Sequence, residues 1–347
     1  MSFDYMSLKK IDLIRPIVAH KLNGDMQKSV DEPLDLRIAN ITDLTKNVKS
    51  FELRNDSGGE LPPFTAGAHI EIALPPSLKR HYSIYSDPSE RNCYQIAVLR
   101  QEHGTGGSRY MHDNLRVGDR IEVSLPRNNF PLIDGPYRYI LIAGGIGITP
   151  ILPMIGVLQA RDAAFELHYC ARSREEAPFI ESLRARCGWN QLSGHFDGGD
   201  PKKGLNVDRL LSEYQPGAHV YCCGPSGLMQ AVRAATVAWP DDAVHFEYFA
   251  PVSTGITGSD PAAFDVVVRS RSLTLKVPAD KTIVQVLREH GIEVETSCEA
   301  GTCGTCRCRY LAGQPIHNDF VLTTREKGKY VMICCARARG EPLILDL

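Results

Sequence analysis

Three thiols near the carboxyl end stand at a distinctive spacing, Cys298-x4-Cys303-x2-Cys306, and an adjacent pair, Cys334 and Cys335, follows. This order is the one that grips a [2Fe-2S] cluster, and a cluster makes the chain a carrier of single electrons. Between the thiols, Ala300, Gly301, Thr302, Gly304 and Thr305 are small enough for the loop to wrap an inorganic core with backbone N–H groups turned to the sulfurs. Four thiolates also suit tetrahedral zinc. Zinc ribbons pair two C-x2-C hooks, however, whereas here a single short hook follows a four-residue gap, so the cluster is the expectation. Cys308 stands two residues past Cys306 on what reads as the outgoing strand and is expected to point away. The fourth ligand is Cys334 or Cys335.

A second set of residues suits a dinucleotide. Gly144-Gly145-Ile146-Gly147-Ile148-Thr149-Pro150 follows the apolar run Tyr139 to Ala143 and opens a helix-like stretch through Leu158, the context in which a glycine loop holds phosphate. It is a variant of G-x-G-x-x-G with proline in the third place, where Pro150 suits the first helical position and Thr149 the N-cap. Read alone, such a loop is equally a tight turn. The carboxylate expected about 20 residues on is missing, since the next strand ends Ala171-Arg172-Ser173. NADH and NADPH are therefore both open on this feature. Arg172 can meet a 2′-phosphate, stack on adenine, or be a solvated loop arginine. A third run ends Cys222-Cys223-Gly224-Pro225, where Cys223 is either a soft side chain facing nicotinamide or a packed thiol.

A third set suits a phosphorylated flavin: Arg80-His81-Tyr82-Ser83 and Gly104-Thr105-Gly106-Gly107-Ser108-Arg109. An aromatic can cover the ring, a hydroxyl can bond a ring nitrogen, and arginine with backbone N–H groups can hold phosphate. Arg80 to Ser83 also reads as an ordinary strand with alternating faces. Two such segments ahead of a nucleotide loop and a cluster are harder to dismiss.

Several kinds of element must position these groups. From Leu36, short alternating runs (Leu36-Ile38-Ile41, Val48-Phe51-Leu53, Ile70-Ile72-Leu74, Tyr94-Ile96-Val98, Ile121-Val123-Leu125) predict half-buried strands and an antiparallel barrel. After Pro136 the runs Tyr139–Ala143, Phe165-Leu167-Tyr169 and His219–Cys222 leave room for crossover helices and predict a parallel α/β sheet. The stretch from Pro251 to Pro261, rich in Ser, Thr and Gly, suits a tether. Beyond it, Phe264–Arg269 and Leu273–Val277 predict a hairpin, and Thr282–His290 a helix closed by Gly291. The expected organisation is an amino-terminal extension over 1–34, a flavin barrel over 35–136, a nucleotide domain over 137–250, a linker over 251–261 and a cluster domain over 262–347.

The chain has 347 residues and a formal charge of −2, with no basic block, which argues against nucleic acid or an anionic membrane as partner. Asp12, Arg15 and Pro16 interrupt the early apolar stretch, so no spanning helix is expected there. An odd count of 11 unevenly placed cysteines fits a reducing compartment, and the cytoplasm is the expected location. A reactive thiol at Cys93 or Cys187 has no support in the sequence. None of the 11 histidines pair at helical spacing, which argues against a histidine metal site on one helix.

Over roughly residues 36 to 347 the chain resembles the phthalate dioxygenase reductase family, in which a ferredoxin reductase-like module precedes a plant-type ferredoxin. The resemblance rests on Arg80–Ile84, Gly106–Arg109, Pro126-Arg127-Asn128-Asn129-Phe130, Gly144–Pro150, Tyr221–Pro225, His245–Phe249 and the cysteine loop, all in the same order. It implies an antiparallel flavin barrel, a parallel-sheet nucleotide domain and a carboxyl-terminal α+β domain of β-grasp type. It further implies that Arg80 and Gly106, Gly107, Ser108 and Arg109 hold the phosphate of FMN, with Tyr82 on the ring and Ser83 near its reactive N5. His81 belongs to the same segment. Gly145, Gly147, Thr149, Cys223, Gly224 and Pro225 map to the pyridine nucleotide site, Phe249 to an aromatic covering the other flavin face, and NADH to the preferred donor. Cys298, Cys303, Cys306 and Cys334 become the ligand set, although Cys335 departs from the usual small apolar residue. The implied partner is a Rieske-type terminal oxygenase met transiently by a monomer. Alternatives are the reductase of a di-iron or haem monooxygenase and a redox sensor that is not an enzyme. The extension has no counterpart in the family pattern.

Overall fold

The computed structural model describes residues 32–347 apart from 76–77, 105, 250–262, 297–298, 300, 302–303, 320 and 323. The expected linker, most of the amino-terminal extension, and Cys298 and Cys303 lie outside the described residues.

The first sheet contains β1 (Leu34–Thr45), β2 (Val48–Arg54), β3 (His69–Leu74), β4 (Leu78–Ser83), β5 (Tyr94–Leu99) and β6 (Arg120–Val123), in the order β4-β3-β6-β1-β2-β5 with every neighbour antiparallel. Its two edges meet at a bridge between Ile84 and Ile96, backed by Tyr85 N–H on Gln95 O at 2.8 Å, so the sheet closes as a barrel. Period-two alternation turns Leu36, Ile38, Phe51, Leu53, Ile70 and Ile72 inward, where they are fully buried. Each such side chain contributes about 1.5–3 kcal/mol relative to exposure. One helix, α1 (Gly107–Asn114), follows β5, so residues read from sequence as loop form its first turn.

The second sheet runs β7 (Arg138–Gly144), α2 (Ile151–Ala160), β8 (Phe165–Ala171), α3 (Ile180–Gln191), β9 (Leu192–Phe196), α4 (Val207–Leu210), β10 (Ala218–Cys223), α5 (Ser226–Ala235) and β11 (Val244–Glu247). Its order is β11-β10-β7-β8-β9 and every pair is parallel. Both faces are covered, one by the cluster around Leu141, Leu167 and Ile155, the other by that around Ile142, Val220 and Trp239. The two outer strands escape a hydrophobicity pattern because Ser193-Gly194-His195 and His245-Phe246-Glu247 are short and largely polar.

Tyr221 ties the segment between these sheets in place. Its hydroxyl accepts Ile133 N–H at 2.9 Å and donates to Pro131 O at 3.2 Å, while its ring lies 5.4 Å from that of Phe130. On the barrel side a Cβ on Gly67, whose φ is +90°, would stand 2.0 Å from Phe130 O, so only glycine permits this approach. Asn128 Nδ2 donates to Thr65 Oγ1 and Ala66 O at 2.7 and 2.8 Å, which makes Pro126–Phe130 a structural connector.

The third sheet holds β12 (Phe264–Val268), β13 (Leu273–Val277), β14 (Arg307–Ile316), β15 (Tyr330–Met332) and β16 (Arg337–Leu345) in the order β13-β12-β16-β14-β15. β12 and β16 are parallel and the remaining pairs antiparallel. α6 (Ile283–Glu289) supplies Ile283, Val284, Val286 and Leu287 to the core, completing the β-grasp arrangement. It starts with a capping box between Thr282 and Gln285, and Gly291, at φ +66°, follows its end.

Candidate functional site

The two segments proposed for a flavin phosphate meet. Arg80 lies on β4 with its side chain across the start of α1, so that a Cβ on Gly107 would be 2.6 Å from Arg80 Nε. Gly106 precedes the helix at φ +94°, and Arg109 is one turn in, with Nη2 4.0 Å from the place a Gly106 Cβ would occupy. Two guanidinium groups thus border the first N–H groups of an eight-residue helix, a combination that favours a phosphate dianion. Ser108 Oγ accepts Gln101 N–H at 3.1 Å, which holds the preceding loop while leaving its own O–H to donate. Tyr82 packs on the barrel core, and burial pushes its phenol up to about 12, so it stays neutral.

β4 alternates, so His81 and Ser83 point to the side opposite Arg80 and Tyr82. His81 Nε2 is 3.4 Å from Glu71 Oε2. The Ser83 hydroxyl donates to Glu247 Oε2 at 3.1 Å, and Glu247 Oε1 lies 4.0 Å from His69 Nδ1. Burial raises the Glu247 carboxyl to about 8, only partly countered by the serine, and lowers His69 to about 4. Neither Glu247 nor His69 stood out in the sequence as a site residue. Ser83 and Glu247 are 164 positions apart, and β11 carries no hydrophobic signal, so only the fold brings them together.

The nucleotide crevice opens where strand order reverses, between β7 and β10, at the carboxyl ends of parallel strands. Gly144 and Gly224 touch across it: a Cβ on Gly224 would be 2.9 Å from Gly144 N. A Cβ on Gly147 would stand 2.2 Å from Cys223 O, and Gly145, at φ +53°, makes the turn, its carbonyl accepting from Tyr169 Oη at 3.1 Å. Pro225 begins α5 as its N-cap residue. Thr149 departs from expectation. The loop tightens into a 3-10 turn over Gly145–Ile148, so Thr149 is already helical, at φ −59° and ψ −46°, and Pro150 takes the cap position of α2. The Thr149 hydroxyl, 2% exposed, donates back to Ile146 O at 3.0 Å and does not cap the helix. Cys223 is fully buried, and burial beside Glu247 drives its thiol well above the ordinary range. Arg172 is exposed at the tip of β8, and its carbonyl accepts Gly198 N–H at 2.9 Å. Phe249, 47% exposed, follows β11.

In the third sheet, Cys306 precedes β14 and Cys334 follows β15, and both are buried. The Cys334 thiol is in hydrogen-bonding contact with those of Cys306 and Cys335, and it accepts Gly301 N–H at 3.2 Å. Gly301, at φ +72°, leaves the space in which a Cβ would meet Cys335 Sγ at 2.6 Å. Cys335 Sγ turns towards Met332 O, 3.6 Å away, and Cys308 is buried in the domain core with its thiol on Arg309 O. Among the described residues no group of three metal-ligating side chains gathers, and Cys298 and Cys303 lie outside those residues. The soft donors, the small-residue loop and the N–H directed at sulfur fit a [2Fe-2S] cluster. Arg337, just past the pair, donates to Lys281 O and Pro278 O at 2.7 and 3.0 Å and fixes the outgoing strand.

Comparison with known proteins agrees with these modules. The family described as a 2Fe-2S iron-sulfur cluster binding domain matches residues 266–339, and that described as an oxidoreductase FAD-binding domain matches residues 35–131. The reductase subunit of a tert-butanol monooxygenase / tert-amyl alcohol desaturase from Aquincola tertiaricarbonis is 45% identical over 323 residues, covering 90% of this chain and 96% of that one. The solved structure of phthalate dioxygenase reductase, described as a modular structure for electron transfer from pyridine nucleotides to [2Fe-2S], is 40% identical with a TM-score of 0.68, covering 91% and 98%. An intact type IV self-sufficient cytochrome P450 monooxygenase is 36% identical with a TM-score of 0.76, covering 92% of this chain and 41% of that one.

Proposed function

The chain belongs to the phthalate dioxygenase reductase family, electron-transferring oxidoreductases that serve oxygenases through a flavin and a [2Fe-2S] centre, and from that premise we propose that it takes electrons from NADH through FMN and the cluster to a Rieske-type terminal oxygenase. The observation that carries this reading is the contact of Ser83 with Glu247, which joins the flavin-facing edge of the barrel to the carboxyl end of the parallel sheet. A hydride donor in the crevice and an acceptor in the barrel then meet at one place.

FMN is favoured because Arg80, Arg109 and the start of α1 surround a site for one terminal phosphate. When bound, the flavin converts a two-electron donor into a one-electron source. The chain's own residues do the rest. Tyr82 would lie against the flavin ring and Ser83 near its edge, and Phe249, being exposed, would cover the other face and yield to nicotinamide. Gly145, Gly147 and Gly224 let backbone approach the pyrophosphate, with Pro225 opening the following helix, and Arg172 holds the adenosine end. Cys223 stays an uncharged thiol beside Glu247 at the carboxyl end of β10, next to the proposed nicotinamide position. Cys298, Cys303, Cys306 and Cys334 hold the cluster. A plant-type centre near about −400 mV lies at least roughly 250 mV below a Rieske centre. At about 59 mV per tenfold, the last transfer is strongly downhill.

Anaerobic titration with NADH tests the reading: flavin and cluster absorbance bleach in turn, and product forms when a Rieske oxygenase component is added. A chain that bleaches neither chromophore is not such a reductase. The likeness to the P450 enzyme favours a second acceptor class, haem monooxygenases, and parallel assays with the two oxygenase types separate them. Among the described residues no helix is long and apolar enough to cross a membrane; we take the protein to act in the cytoplasm as a monomer.

A further inference from the structure

The proposed reaction leaves a proton to dispose of. NADH and two oxidised one-electron acceptors give NAD+, two reduced acceptors and one H+, so one proton has to leave the enclosed flavin edge for each NADH consumed. Resting on that reading, we infer that His69, His81 and Glu71 form its exit, receiving the proton from Glu247 and delivering it to solvent beside Lys79.

The β3–β4 ladder places His69 opposite Ser83 and Glu71 opposite His81, and its two-residue period turns all four side chains to one face. β11 brings Glu247 onto the inner end of this row, 3.1 Å from Ser83 Oγ and 4.0 Å from His69 Nδ1, a gap that one bridging water or a small rotation closes. The rings of His69 and His81 are 5.3 Å apart and inclined at 66°. His81 Nε2 is 3.4 Å from Glu71 Oε2, and Glu71 Oε1 accepts Lys79 Nζ–H at 2.8 Å. Side-chain exposure rises along the row from 10% at His69 and 12% at Glu247 to 26% at His81, 20% at Glu71 and 68% at Lys79. The line therefore begins enclosed and ends in water.

Each hand-off breaks one bond to hydrogen and forms another, with no electrons transferred between groups. Glu247 loses its O–H proton to His69 Nδ1 and regains one from the flavin edge. An imidazole that gains a proton on one nitrogen releases one from the other, so His69 and then His81 return to neutral. Glu71 receives the proton from His81 Nε2 and gives it to water. The charged and titratable groups around His69 are Glu247 from β11, His81 from β4 and Arg127 from the connector, whose backbone pairs with that of His69 in both directions. Arg127, His81 and burial all oppose charge on His69, so it carries a proton without storing it. A carboxyl held near 8 rests protonated close to neutrality and can cycle there.

The test mixes the holoenzyme rapidly with NADH and cytochrome c in weak buffer, following flavin absorbance, haem reduction and an indicator dye together. In the parent protein, dye response keeps step with haem reduction. In His69→Asn, proton release slows about tenfold or more relative to flavin bleaching in the same traces, and added imidazole restores it. His81→Asn, more exposed and less disruptive, gives a smaller lag of about threefold, with the same rescue. Proton release that keeps step in both variants, with full flavin and cluster content, overturns the exit. So does a lag that imidazole does not relieve, since that marks a structural role. If the parent protein itself fails to bleach with NADH, the proposed function fails instead.

Discussion

Two pairs of adjacent cysteines, Cys222-Cys223 and Cys334-Cys335, share a dipeptide but stand in different surroundings. The first pair ends a parallel strand, so its thiols point to opposite faces of a sheet covered on both sides, and both are fully buried. Cys222 donates to Met229 Sδ at 3.5 Å inside one core, and burial pushes both thiols up. The second pair follows a short strand as the chain turns. There Cys334 contacts Cys306 and receives a backbone N–H, whereas Cys335 is only half-buried. A strand separates neighbouring side chains and a turn gathers them, so backbone conformation decides which thiols can share a metal.

The largest expected effect comes from breaking the second pair. Cys334→Ser abolishes the visible absorbance of the cluster with flavin retained, while Cys335→Ser keeps it; the reverse result would exchange the two roles. Glycine neighbours sharpen the contrast. Gly147→Ala places a Cβ 2.2 Å from the backbone of Cys223, which cannot yield, and raises KM for NADH by about tenfold or more in steady-state assays. Gly301→Ala meets the end of the Cys335 side chain, which can rotate, but suffers at φ +72°; about 1–2 kcal/mol of stability is lost, read as earlier cluster bleaching on heating.

Smaller effects separate the members of the first pair. Cys223→Ser slows flavin reduction by NADH about tenfold, beyond the loss of stability it shares with any hydroxyl placed at this fully buried position, as read by stopped-flow bleaching of the folded holoenzyme. Cys222→Ser buries a hydroxyl among apolar side chains, lowering stability by about 1–3 kcal/mol in denaturant titration with hydride transfer kept. The sheet around this pair also carries His245, held by burial at about 4 against an ordinary 6.5 and stacked on Tyr221. A histidine with a depressed value supplies stability above pH 6.5 that is lost as pH falls towards 4. His245→Phe should flatten that part of the stability curve by up to about 3 kcal/mol, measured by unfolding at pH 7 and pH 4.

The cysteine order, the strand alternation of the barrel and the glycine loop after β7 declared themselves because each is local in the chain. What stayed hidden was made by neighbours distant in sequence. His69 with His81, His168 with His195 and His219 with His245 pair across adjacent strands, a spacing no helical test detects. Glu247 belongs to a polar, half-buried edge strand and gains its meaning only from Ser83. Thr149 misled for a different reason: a serine-like residue before proline suggests a cap, but the 3-10 turn had already begun the helix. The opening of α1 looks like loop in the sequence because Gly106 and Gly107 are poor helix formers, although the missing side chain at Gly107 is what admits Arg80.

The hydroxyl of Tyr221 has a consequence for anyone recombining this protein with its relatives. Because it accepts from Ile133 and donates to Pro131, a join made near residue 136 severs two bonds that hold the incoming sheet at its angle to the barrel. A chimera exchanging only the sheet would inherit a loosened joint and a misaimed hydride. The transplantable unit is barrel and sheet together, with the tyrosine, the Ile133 N–H and the Pro131 carbonyl taken from one parent.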